Sequence, residues 1–386
     1  MKRFFPLRLL FLLPGIGALL VTLYAQGNPD WTEQVYSRMV YPVLSAAVGF
    51  LPSLVRFSVA EWWVALFLLF CFWYVVHCIR RIVVGRGVLS RKAPEASGNL
   101  GRGVILYRSV VGALAIASML YFAFTTLCGL NYYRHTFTSY TGYGVEQSSV
   151  EELEQLCVSL AGGLNQTRER LGQDVDLIAF DREDFDQCAQ DSVSAIRTLA
   201  EQYPVLERPL YSEPKPVALS GLMSDAGIAG IFFPFTMESN VNDDIPLFTI
   251  PSTMTHELAH QCGFMREDEA NFIAYLACKQ ADDPLARYSG QYLAFVHSVS
   301  ALRKVDSEAA SGVLSGLSLT VQYDMAENDR FWDEHEGAIT EISNAANDTY
   351  LKANSQADGV SSYGRMVDLL LAEQRASSAG SPRGEG

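Results

Sequence analysis

Two stretches of this chain, residues 62–79 and 110–130, run for 18 and 21 residues without a Lys, Arg, Asp or Glu. A helix needs about 20 apolar residues to cross the hydrocarbon core of a bilayer, with roughly 17 as the lower limit. A buried helix of a globular protein rarely stays uncharged that long, so both stretches read as transmembrane helices. Residues 9–25 form a third uncharged stretch, interrupted by Pro14, Gly15 and Gly17. Lys2 and Arg3 ahead of it also suit a signal peptide. However, Leu23-Tyr24-Ala25 makes a poor small-x-small cleavage site, and a retained span is expected. Residues 41–57 are apolar too but contain Pro42, Gly49 and Pro52, and read as an interfacial segment. Trp62, Trp63, Tyr132 and Tyr133 suit the headgroup level.

Charge divides the chain at the same place. Residues 1–130 carry twelve Lys/Arg against four acids, whereas the remainder carries seventeen against thirty-nine. A basic, apolar membrane part (1–130) is therefore expected to precede an acidic domain (131–375), with a disordered Ser/Gly/Pro tail at 376–386. The acidity of the larger part argues against nucleic acid as its partner. The link between the second and third spans holds Arg80, Arg81, Arg86, Arg91, Lys92 and Arg102, against Glu95 alone. That bias, together with Lys2, Arg3 and Arg8, places this link and the N-terminus in the cytoplasm and the acidic domain outside. Cys157, Cys188, Cys262 and Cys278 would then lie where disulfides can form, although their spacing matches no metal-binding or redox pattern.

The acidic domain reads as mainly helical with a small sheet. Ser149 and Glu152 form a capping-box start for a helix running to about residue 171, and a second helix fits 186–203. Residues 217–219 and 227–235 read as strands. Helices follow at about 253–262, 267–281, 285–303, 306–315, 329–353 and 361–375. No internal repeat is evident.

Within this domain, residues 255–262 read Thr-His-Glu-Leu-Ala-His-Gln-Cys. His256 and His260, four residues apart, leave one helix face a turn apart, where both can bind one zinc ion. Glu257 beside them is placed to act as general base toward a water that zinc makes acidic. Gly263 ends that helix, and Glu267-Asp268-Glu269 opens the next, able to return a carboxylate to the metal. Two His, one Glu and an open position make a catalytic zinc site. Arg266, six residues after the second His, cannot ligate. Between the two candidates for third ligand, Glu269 is preferred because it lines up with the apolar stripe Phe272, Ile273 and Leu276. Glu267 remains the alternative, since a carboxylate in a first helical turn can simply satisfy free amides. His297, His335, Tyr323 and Tyr363 are available as oxyanion donors, and spacing selects none of them. Glu238, Asn240 and Asn242 either line the cleft or form a turn.

The segment resembles gluzincin-type zinc peptidases, which combine H-E-x-x-H with a glutamate on the following helix. Glu269-Ala270-Asn271-x-x-Ala274 is similar to the E-A-N-x-x-A of the ImmA/IrrE peptidases, which implies Glu269 as ligand. The gluzincin acidic partner four residues after the ligand Glu has no match, because Ile273 stands there. Choosing Glu267 instead would put Asn271 at that position. Over most of its length the chain resembles an uncharacterised family of bacterial multi-pass membrane proteins, a domain of unknown function. The matching blocks are 227–242, 255–277 and 362–371. The resemblance implies three transmembrane helices and a zincin-like metallopeptidase domain in the bacterial cell membrane. That domain would hydrolyse a peptide or protein substrate outside the cytoplasm. In gluzincins the strand ahead of the zinc helix pairs with extended substrate, which would give 227–235 that role; a buried central strand would be equally apolar. Two other functions suit the same residues: a non-catalytic, zinc-stabilised sensor or scaffold, and a zinc amidase acting on cell-wall peptides.

Overall fold

The computed structural model describes residues 7–83, 102–353 and 365–378. Three of its helices are long and apolar enough to cross a membrane: Leu9–Gln26, Val59–Val83 and Gly103–Leu127. Their α-helical parts are α1 (Leu13–Gln26), α3 (Val59–Val83) and α4 (Arg102–Leu127), with α2 (Tyr41–Ser53) between the first two. The third apolar helix starts before residue 110, since its backbone is helical from Arg102 onward. It stops at Leu127, where Gly129–Tyr133 turns into a buried 3-10 segment. The helix packing explains Gly15. A Cβ there would lie 2.5 Å from Ser118 Oγ, and the bare backbone instead donates to that hydroxyl at 2.9 Å. Small residues allow this kind of close helix approach in membranes.

The body of the protein is helical around a small sheet. Its helices are α5 (Val150–Leu171), α6 (Arg182–Gln202), α7 (Ser220–Asp225), α8 (Ile250–Gln261), α9 (Glu267–Lys279) and α10 (Pro284–Val305). They are followed by α11 (Ser307–Ser315), α12 (Leu319–His335), α13 (Ala338–Ala353) and α14 (Arg365–Ser378). The capping box of α5 forms as read, and α6 has its own, Asp181 with Asp184, four residues before the expected start. α9 is buried on every side from Asp268 to Cys278, enclosed by α6, α8, α10 and α14. The expected helix 329–353 is two helices, split at Glu336-Gly337, and the first begins at a Ser318 cap that periodicity did not reveal. Residues 376–378, expected in the tail, continue α14; residues 379–386 and Tyr363 lie outside the described residues.

The sheet has three strands in the order β1-β3-β2, with β1 (Lys215–Pro216) parallel and β2 (Gly230–Phe233) antiparallel to β3 (Glu238–Val241). β3 was not legible in sequence. Glu238, Ser239 and Asn240 are polar yet fully buried, the reverse of the usual strand signal. Glu238 and Asn240 are thus strand residues that reach outward to α3, while Asn242 forms the following turn through Asp244 N and Ser224 Oγ. The strand expected at 217–219 pairs at 215–216 and adds only the Val217 amide to Val241 O.

Packing does not break at residue 130. The segment expected to be interfacial, 41–57, begins with the fully buried Tyr41, whose hydroxyl donates to Gln261 O at 3.0 Å. Further on, Gly49 packs against Met237. A segment with three helix breakers can still form a short helix when a neighbouring domain covers it. Glu33 and Arg134 form a buried two-bond ion pair, Nε–Oε2 2.9 Å and Nη2–Oε1 3.0 Å. All seven cysteines are free, and the four in the body are buried, so the expected opportunity for pairing is not taken.

Replacing Glu33 with Gln leaves the Arg134 guanidinium buried without its counter-charge. That change should destabilise the detergent-solubilised full chain by about 3 kcal/mol in chemical denaturation. A loss below roughly 0.5 kcal/mol, the scale of an exposed pair, would show that this joint carries little weight.

Candidate metal centre

α8 starts at Ile250 with Pro251 in its first turn, where the missing N–H costs nothing. Inside the helix, the His256 and His260 rings stand 4.7 Å apart, nearly perpendicular. The helix ends through Gly263, whose φ of 85° lies in the left-handed region. The Gly263 amide returns to His260 O at 2.8 Å and the Phe264 amide to Ala259 O at 3.1 Å. A side chain on Gly263 would be strained by that φ, and its Cβ would come within 3.0 Å of Tyr41 and 3.1 Å of Asn131.

This turn points the start of α9 back at the histidines. Glu267 Oε2 lies 3.2 Å from His256 Nε2, and Oε1 lies 3.7 Å from His260 Nε2. Ligand atoms of the three residues lie within 4.8 Å of one another. Each imidazole is oriented from its other nitrogen: His256 Nδ1 meets Asn271 Oδ1 at 2.7 Å and His260 Nδ1 meets Phe264 O at 2.7 Å. A carbonyl only accepts, so Nδ1 carries the hydrogen and Nε2 is left toward Glu267, the arrangement that metal-binding histidines use.

Of the two candidate carboxylates, the structure places Glu267, the alternative, beside the histidines, and not the preferred Glu269. Glu269 is buried on another face of α9, where its Oε1 accepts from the Phe137 amide at 3.0 Å; burial raises its carboxyl to about 7. α9 is enclosed all round, so alignment with the stripe Phe272, Ile273 and Leu276 does not single out one face. The useful signal was the Glu267–Asn271 spacing of four, which puts ligand and orienting amide on one face. Asn271, Phe264 and Gly230 are the site residues that sequence reasoning did not assign.

Glu257 is 4% exposed, and its Oε2 has no hydrogen-bond partner among the described residues. Burial pushes its carboxyl up to about 8, against the pull of His256. β2 lies directly over it. A Cβ on Gly230 would fall 2.6 Å from Glu257 Oε1 and 2.9 Å from Thr253 Cγ2, so only glycine lets the strand approach this closely. The Asn242 amide donates to Ala229 O at 2.9 Å, so by antiparallel alternation Gly230 and Phe232 turn their backbone groups away from β3 toward the free edge. The Phe232 amide is accordingly a hydrogen-bond partner of Glu257.

Burial alone would lower His256, but the bond and charge of Glu267 outweigh it and raise it to about 9. His260 goes the other way, to about 4, through burial against the opposing pull of Glu267. Glu267 falls below its ordinary value, because the two histidines outweigh its burial. Of the four possible oxyanion donors, the half-buried His297 is lowered to about 4 by desolvation and by the nearby His256 charge. His335 is turned to Phe331 O, and Tyr323 is exposed.

The residues present fit a zinc ion: two imidazole nitrogens and a carboxylate converge, both imidazoles are held from behind, and a buried carboxyl oxygen stands beside them without a partner. Among known proteins, the family described as "Protein of unknown function (DUF3810)" matches residues 36–371. The chain belongs to that family. No curated protein and no solved structure matches it. The matched region starts inside the segment before α2 and ends in α14, so it covers the second and third apolar helices together with the body.

Zinc titration of the full chain in detergent should separate the two glutamates. Glu267→Gln should weaken zinc by more than roughly 100-fold, and Glu269→Gln should leave it within a few-fold. Ahead of any metal, His256 holds its proton at pH 7, whereas a ligand imidazole must be neutral. Zinc uptake near pH 7 should therefore release about one proton, and affinity should rise toward pH 9. Equal zinc loss in both variants, or uptake without proton release in calorimetry, would contradict this site.

Proposed function

We propose that the chain is a membrane-anchored, zinc-dependent peptidase with a zincin-like body. The observation that carries this reading is the convergence of His256 Nε2, His260 Nε2 and Glu267 beside the unpartnered Glu257 Oε2. His256, His260 and Glu267 would hold the ion. Zinc bound there would polarise a scissile carbonyl and make water a nucleophile near neutral pH. Beside the charge of that ion the Glu257 carboxyl would fall from about 8 toward its ionised form, and the carboxylate is then placed to take a proton from the water and deliver it to the leaving amine. Asn271 and the Phe264 carbonyl hold the imidazoles in one orientation throughout. The outer edge of β2, where the Gly230 backbone groups and the Phe232 carbonyl are directed away from β3, is suited to pair with an extended polypeptide and align its carbonyl over the site. This arrangement supports the gluzincin resemblance, with the E-A-N-x-x-A likeness to ImmA/IrrE peptidases shifted by two residues in its ligand.

A purely structural zinc site gives no reason to bury the Glu257 Oε2 atom without a partner, a costly arrangement that catalysis would explain. An amidase acting on cell-wall peptides would use the same groups, and the shape of the β2 edge favours an extended peptide. The Lys/Arg bias supports a bacterial membrane orientation with the body outside. Residues 28–58 pack into the body, so the first link and the body share a side, as a three-span arrangement requires.

Glu257→Gln keeps shape and metal but removes the base. In the zinc-loaded full chain, peptide hydrolysis should fall by about 10²–10⁴-fold with zinc content unchanged. Loss of zinc together with activity would make Glu257 a structural ligand. Protease added to intact spheroplasts should digest the body; complete protection would put it in the cytoplasm and reverse the orientation.

A further inference from the structure

The strand beside Glu257 is joined, through β3, to the first turn of an apolar span. Glu238 in β3 accepts the amides of Val59 and Ala60 at 3.0 and 2.8 Å, satisfying α3's free N-terminal donors. Lys215 Nζ donates to the same carboxylate and to Pro52 O. Ser58 Oγ meets Asn240 Oδ1 at 2.6 Å, and Glu61 accepts the amides of Ala218 and Leu219. Glu238 is fully buried, so this is a rigid joint rather than a surface contact. One turn further along α3, Trp63 stacks on Phe235 (4.9 Å, 10°) and meets Phe233 edge-on at 5.4 Å. The β2–β3 turn therefore sits at the level of a tryptophan that begins the span, where such side chains mark the bilayer interface.

Around this joint, apolar side chains face outward. Leu219, Leu222 and Ile231 are 61%, 56% and 46% exposed, and Leu54 and Phe57 on the α2 side continue the belt. Leu219 is tied by its amide to Glu61 in α3's first turn, so this rim is continuous with the membrane-spanning surface. Ile231 lies between Gly230 and Phe232, the two residues that meet Glu257. Strands lie about 4.8 Å apart and a packed layer about 10 Å away, so the site is roughly 15 Å from α3's first turn. About five extended residues cover that distance.

We propose that the face formed by β2 and α7 rests in the headgroup layer of the bilayer, and that the site takes a polypeptide tethered to the same membrane, close to its anchor. The second half of this inference rests on the peptidase reading. A tethered chain reaches the β2 edge along the membrane surface at high effective concentration, whereas a soluble one must approach an edge flanked by lipid.

The membrane contact can be tested without any activity. The full chain carrying Cys71→Ser and Cys78→Ser is given a single bimane-labelled cysteine by Leu219→Cys, Leu222→Cys, Ile231→Cys or, as a remote control on α5, Val158→Cys. It is reconstituted in phosphatidylethanolamine–phosphatidylglycerol vesicles with brominated acyl chains. Quenching at 219, 222 and 231 but not at 158 is expected; three rim positions keep the test alive if one variant misfolds. Rim labels as bright as the control would overturn the proposal. The substrate half is read with zinc-loaded vesicles and one peptide library, either lipid-anchored to the vesicles or free, with products identified by mass spectrometry. Cleavage of the anchored library should be at least about tenfold faster, start within several residues of the anchor and vanish in Glu257→Gln. Equal cleavage of both forms would overturn the tethered-substrate claim. Cleavage of neither, with rim quenching intact, would overturn the peptidase reading and the substrate claim resting on it, and would leave the membrane contact established.

Discussion

The five-residue turn from Cys262 to Arg266 is the constraint on which the centre depends, because it sets the start of α9 against the histidine face of α8. A turn this tight exposes carbonyls that α8 can no longer satisfy, and it lies in the interior where water cannot help. Tyr41 takes Gln261 O, while Arg134 and Arg208 take the carbonyls of Cys262 and Gly263. Arg134 is held in turn by Glu33, from the segment between the first two apolar helices. The same turn carries Phe264, whose carbonyl orients His260. The geometry of the candidate ligands is thus supported by Glu33, Tyr41 and Arg134, each more than a hundred positions away in the chain, and by Arg208.

Two joints connect the apolar helices to the body, and they have different consequences. The Glu33–Arg134–Tyr41 joint braces the ligand turn from one side. The Glu238–Lys215–Ser58 joint braces the sheet that covers Glu257 from the other. Each uses buried charge, which is weak evidence for added stability but leaves few alternative geometries once every donor is satisfied. A body freed of the segment 28–58 would lose partners for several buried polar groups, among them Lys215, Asn240 and Arg134.

The chemistry of the site follows from how unequally similar groups are treated. Two carboxylates, Glu257 and Glu267, lie at the same histidine pair; one is pushed up to about 8 and the other held below its ordinary value. Glu267 faces both imidazoles, whereas Glu257 is buried under β2 and feels only the partial pull of His256. That division arises from the close approach of the strand at Gly230 and from the start of α9.

Sequence alone determined the elements whose signals are local. The three apolar helices are read from bilayer thickness, the α5 start from a capping box, and His256 and His260 from a spacing of four that any α-helix brings to one face, with Glu257 next in sequence. It did not determine which glutamate meets the histidines, because α9 is buried on all sides and helical periodicity distinguishes one face from another only when one of them is wet. Nor did it reveal β3, whose Glu238, Ser239 and Asn240 are polar and buried, or the role of the segment 41–57, whose prolines spoke against a packed helix. In each of these cases the deciding partner lies far along the chain: Phe137 for Glu269, the amides of Val59 and Ala60 for Glu238, and the carbonyl of Gln261 for Tyr41. Only the tertiary structure brings those groups together, since a buried polar group is placed by the partner that satisfies it and not by its neighbours in sequence.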